Sequence, residues 1–154
     1  MPIVKSIDLA DLGYEIQRYA REFKPQVKSA VVSGCLRSIP DLVQASPVDT
    51  GLYAQSWGVE ETENSVQIGN TAPHAPIIEF GARPHTPPIG PLLAWAKRVL
   101  KDPSQPPNYS QEVWRLALGV QKKIQAQGQA PRSILRDNTD KIIDNIRTEL
   151  EKLK

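Results

Sequence analysis

An α+β fold is predicted for this chain of 154 residues by three observations. Apolar residues recur at helical spacing before residue 45 and after residue 91, short polar/apolar alternation appears only between 56 and 69, and prolines crowd the stretch after it. The expected architecture is long N-terminal helices packed on a small antiparallel β-sheet (hairpin 56–69), with two or three further helices on the C-terminal side. A single domain spanning 1–154 is expected: a helical arm (1–45), a hairpin and Pro-rich loop (46–91) and a helical part (92–154). A chain of this size buries roughly two thirds of its unfolded surface, enough for a core without disulfides or metal.

From Asp8 to about Phe23, the residues Leu9, Leu12, Ile16, Tyr19 and Phe23 fall on one helical face. A second apolar series, Val27, Val31, Cys35, Leu36, Ile39 and Leu42, keeps that spacing. Pro25 suits the first turn of a new helix, but it also permits one long kinked helix, so the pattern leaves both open. Gly34 and Pro40 weaken or bend this region.

Beyond Pro47 the spacing changes. Trp57 and Val59 alternate with polar neighbours, as do Val66 and Ile68, and the polar link Glu61 to Asn64 between them predicts a β-hairpin. Two strands alone are marginal in water, so the hairpin must pack on helices or join a larger sheet, which neighbouring copies are able to supply. Residues 69–91 hold six of the fourteen prolines, both histidines and three glycines. They predict a loop stiffened by fixed φ angles, with Ile77-Ile78-Glu79-Phe80 as one helical turn or a short strand inside it. Helical spacing resumes at Ile89, with Leu92, Leu93, Trp95, Ala96, Val99 and Leu100 inward and Lys97, Arg98 and Lys101 outward. After a proline-rich connector, Asn108 or Ser110 caps a helix through Val113, Trp114, Leu116, Ala117, Val120 and Ile124, which Gly128 ends. Ile134 to Leu153 predict one closing amphipathic helix.

Charge is uneven. Residues 1–45 carry six Lys/Arg against five Asp/Glu, 46–90 one against five, and 91–154 twelve against seven. An acidic middle and a basic end suit head-to-tail docking of copies, although scattered charge also serves solubility alone. Without a continuous basic stripe, nucleic acid is not expected as a direct ligand. The lone Cys35 excludes a disulfide framework. With neither a signal-peptide run nor an uninterrupted apolar span, a soluble protein made and kept in cytoplasm, or assembled there, is expected.

Asp49-Thr50-Gly51, inside "SPVDTGLYAQSW", resembles an aspartic-protease triplet. That chemistry needs a β scaffold and a second carboxylate sharing one proton, whereas here a helix end precedes the triplet. The better expectation is a structural turn: Pro47 stops the helix, Asp49 bonds backbone groups two residues on, and Thr50 and Gly51 complete the bend into a strand. His74, Glu79 and His85 match no compact metal-ligand spacing, and no phosphate loop or nucleophile elbow is present. Catalytic, cofactor and metal sites are accordingly expected to be none.

The order of motifs resembles one family, the bacteriophage tail-completion or neck (head-tail connector) proteins, grouped with minor tail protein Z. The carrying pieces are Ser46-Pro47-Val48-Asp49-Thr50-Gly51-Leu52 with Ser56-Trp57, then Ile68-Gly69-Asn70, "PHAPIIEFGARPHTPP", Leu92-Leu93-Ala94-Trp95-Ala96 and "VQKKIQAQGQAPRSIL". They span roughly residues 40–136. Pro73-His74 departs from the tyrosine expected before the Glu-Phe-Gly element, and Arg132-Ser133-Ile134 from the usual proline-phenylalanine. The resemblance implies a non-enzymatic virion protein that completes the upper end of a tail and joins it to the connector below the portal. It implies a homo-oligomeric ring, often of six copies, contacting connector or adaptor proteins on one side and tail terminator, tube or sheath proteins on the other. DNA would at most pass through the lumen, and no membrane is involved. Ile77, Ile78, Glu79, Phe80, Arg83 and His85 are the expected interface residues. The alternative is a small monomeric adaptor or regulatory module using the same loop.

Overall fold

A computed structural model describes residues 9–153, with the side chains of residues 9–13, 15, 16 and 19 outside the description. Asp8, and the side chains of Leu9, Leu12, Ile16 and Tyr19 in the predicted apolar stripe, therefore lie outside the described residues. The fold is α+β: a long N-terminal helix, a two-stranded antiparallel sheet and further helices. The elements are α1 (Leu9–Ala45), α2 (Leu52–Gln55), β1 (Trp57–Glu61), β2 (Val66–Asn70), α3 (Ala75–Phe80), α4 (Ile89–Leu100), α5 (Gln111–Gln127), α6 (Ile134–Asp137) and α7 (Thr139–Glu151).

The ambiguity at Pro25 resolves as one helix, with Pro25 and Pro40 both inside α1. The closing helix is split instead, because Asn138 stands between α6 and α7. The turn at 46–51 leads first into the four-residue helix α2 and only then into β1.

The backbone forms two compact units. One contains the described residues up to 44, the hairpin 57–69 and the described residues from 138 on. In it α1 and α7 run antiparallel, as the pairs Asp41–Lys141, Ser38–Asn145 and Arg37–Glu149 require. Gly34 makes the approach possible: a Cβ there would lie 2.5 Å from the Ile146 Cα. One turn on, the buried Ser38 hydroxyl donates to the Gly34 carbonyl (2.9 Å) and accepts from the Asn145 amide (2.9 Å). That hydroxyl is thus satisfied at both ends. Cys35 is buried on the same helix, and burial pushes its thiol pKa up. The hairpin meets α1 further toward its N-terminus, with Lys24 donating to Asn64 (2.8 Å) and Lys28 lying 3.4 Å from Glu61.

The other unit contains residues 45–56 and 70–137. Its α4–α5 helix pair closes on Leu93, Ala96, Val113 and Ala117, with Ile89, Leu92, Trp95, Tyr109 and Leu116 packed around them. Alanines at the centre let the two backbones come close while the larger side chains seal the edges. Ser110 caps α5 by accepting from the Val113 amide (3.3 Å) while donating to Asp102 (2.7 Å). Val99 and Leu100, expected to face inward, are exposed, as is Trp114.

Candidate functional site

The candidate surface lies within the second unit, in three separated segments, of which the first is held by α4 and the other two tie one another. The first is the turn 46–51. Gly51 sits at φ 83°, a left-handed conformation that suits glycine, and the Thr50 hydroxyl accepts from the Leu52 amide at 3.4 Å. The Asp49 carboxylate does not fold back on its own backbone as the sequence suggests. It takes a two-pronged ion pair from Arg98 of α4, Nε to Oδ1 at 2.9 Å and Nη2 to Oδ2 at 2.6 Å. That fork holds the carboxyl below the usual carboxylate range. The group facing Asp49 is a guanidinium.

The second segment is α3 and the strap after it. His74 precedes α3 and its ring lies 5.8 Å from that of the buried Tyr53, which burial first and the charge of Glu79 second push to a higher pKa. Along α3 the alternation of exposure is sharp. Ile78 is buried, so it is not available to a neighbour as the sequence suggests. Ile77 is exposed, and Phe80 is 79% exposed. Glu79 also turns inward: its two carboxylate oxygens accept from the backbone amides of Leu135 and Arg136, each at 3.1 Å. A carboxylate at the start of a helix satisfies donors that lack partners within it, and Glu79 does this for α6 from across the unit.

The third segment, 128–133, closes the tie. Ala82 and Gln129 exchange a pair of backbone hydrogen bonds (2.9 and 2.8 Å), and the Arg132 amide donates to the Ile78 carbonyl (2.8 Å). Both sides carry a glycine because neither admits a side chain. A Cβ at Gly81 would lie 2.4 Å from the Gln129 carbonyl oxygen, and one at Gly128 2.2 Å from that of Ala82. Both glycines have positive φ, 76° and 72°. The "EFG" and "QGQAP" pieces of the sequence are therefore two halves of one backbone clamp.

Beyond the clamp the strap carries Arg83 and His85 on the surface, where His85 Nδ1 lies 2.8 Å from the Arg83 carbonyl oxygen. The strap's far end is held by Gln121, which donates to the Pro87 carbonyl at 2.8 Å. Among the described residues no group of three or more His, Cys, Asp or Glu side chains is placed to hold a metal. Sequence reasoning missed Arg98, read as simply outward, and the Leu135 and Arg136 amides, since a backbone donor carries no residue signature. Gly128 was legible as a helix stop, though not as a contact with Ala82. No family model matches the chain, and no curated protein or solved structure matches it.

Proposed function

We propose that this chain is a structural protein of a tailed-bacteriophage virion, a ring-forming neck component that completes the upper end of the tail and joins it to the head connector. One observation carries the reading: Phe80 stands 79% exposed on a turn tied by the Glu79 carboxylate and by the backbone of Ile78 and Ala82. A phenylalanine left in water gains about 1.5–3 kcal/mol when fully buried. A segment already fixed in its docked shape loses little entropy on binding, which suits a permanent joint. Val48 in the turn and Leu52 at the start of α2 add exposed apolar surface. The order of sequence motifs supports the family, and the acidic middle and basic end of the chain support unlike surfaces meeting, as ring closure requires.

The test is Phe80→Asp compared with the parent by native mass spectrometry and by electron microscopy of particles. The parent is expected to form a closed oligomer and to occupy the neck, while the variant folds but stays monomeric and yields heads and tails unjoined. A parent that is monomeric and absent from particles would turn the reading to the adaptor class.

A further inference from the structure

We propose that the outer edge of β2 pairs antiparallel with the outer edge of β1 in a neighbouring copy, so that hairpins of successive copies join into one belt of strands. The inference rests on the ring reading above and gives it a backbone contact.

The register follows from two bonds. Thr62 N–H donates to the Ser65 carbonyl at the tip (2.9 Å), and Thr71 N–H donates to the Ser56 carbonyl at the base (3.0 Å). The same number of residues separates the two bonds on each strand, so no bulge intervenes, and Glu60 faces Gln67 while Val59 faces Ile68. In an antiparallel ladder alternate residues turn their backbone groups inward. Gly58, Glu60, Gln67 and Gly69 therefore bond across the hairpin, while the N–H and C=O groups of Val59, Glu61, Val66 and Ile68 point away from it. The sheet has only these two strands, and among the described residues no backbone bond reaches Val66 or Ile68 from outside it.

Soluble proteins guard such edges with charge, proline or a bulge. β2, Val66-Gln67-Ile68-Gly69-Asn70, has none of these. β1 carries Glu60 and Glu61, with Glu63 just beyond. Three pairings of two copies are available. β1 on β1 sets acid beside acid. β2 on β2 closes at two copies and stops growth. Only β2 on β1 repeats around a ring, sets an uncharged strand against an acidic one, and continues the face bearing Val66 and Ile68 into that bearing Val59. A two-stranded sheet, marginal by itself, becomes an extended one.

The experiment mixes two single-cysteine proteins, Glu60→Cys and Gln67→Cys, each in a Cys35→Ala background, under oxidation. Both positions are exposed, so neither change disturbs packing. With Ile68 opposite Val59 of the neighbour, positions 67 and 60 form a close pair across the interface. The mixed 60–67 disulfide is expected in several-fold excess over either homodimer. A dominant 67–67 disulfide means two-fold pairing and overturns the proposal. A closed oligomer by native mass spectrometry with no 60–67 link overturns the pairing and leaves the ring reading standing. Monomers without any link overturn both, and a 60–67 link in a chain absent from particles overturns the neck reading alone.

Discussion

Replacing Gly128 by alanine separates conformational strain from ordinary helix propensity. At φ 72°, ψ −156° the backbone of Gly128 lies in a region almost reserved for glycine, which costs another residue about 1–3 kcal/mol. The new Cβ would stand 2.2 Å from the Ala82 carbonyl oxygen and 2.9 Å from the Arg83 carbonyl carbon, both backbone, so the two segments must part. Parting them loses the reciprocal Ala82–Gln129 bonds, about 1 kcal/mol each. The expected loss is about 3–5 kcal/mol, a fall in Tm of roughly 10 °C for a protein of this size. Gly119 is the internal control: it lies inside α5 with nothing within 4 Å of a built Cβ. Alanine there should stabilise by about 0.5–1 kcal/mol. Urea denaturation of both variants reads the two signs. A Gly128→Ala protein within 1 kcal/mol of the parent, by the same scale, would refute the clamp.

Other substitutions probe the remaining ties. Glu79→Gln should cost about 1–2 kcal/mol and speed amide exchange at Leu135 and Arg136 selectively, since charge-assisted bonds to those amides weaken; unchanged exchange there would count against the cap. Gly34→Val should destabilise by about 2–4 kcal/mol, because its side chain meets the Ile146 backbone, and thermal melting checks it. The Asp49–Arg98 pair is largely exposed, so a double-mutant cycle should give under about 1 kcal/mol near neutral pH. Because the folded carboxyl titrates below its unfolded value, that coupling is present in full above the unfolded value, near 3.8, and fades as pH falls through the lower folded one. Coupling that grew on acidification would contradict the pairing.

Helices α4 and α5 were legible because the centre of their apolar spacing agrees with final burial: Leu93, Ala96, Val113 and Ala117 sit where periodicity puts them, whereas Val99, Leu100 and Trp114 on the same helices stay exposed. The continuity of α1 was not legible, since proline within a helix and proline opening one read alike in sequence. The split at Asn138 was hidden because Ile134 and Ile142 both fit a single apolar stripe, although short helix α6 takes its amino-terminal partner from Glu79. Of the expected interface residues, Ile77, Phe80, Arg83 and His85 lie on the surface, while Ile78 and Glu79 turn inward. A short apolar run does not say which member points out. That choice is made by segments some 50 residues away, such as the Arg132 amide on the Ile78 carbonyl.

The Glu79 tie also orders events during synthesis. Its acceptors receive bonds from residues 56 and 57 positions later in the chain, so the segment through Arg136 must leave the ribosome before the Phe80 turn can lock. A nascent chain therefore carries Phe80 on an untied turn until that later segment has emerged.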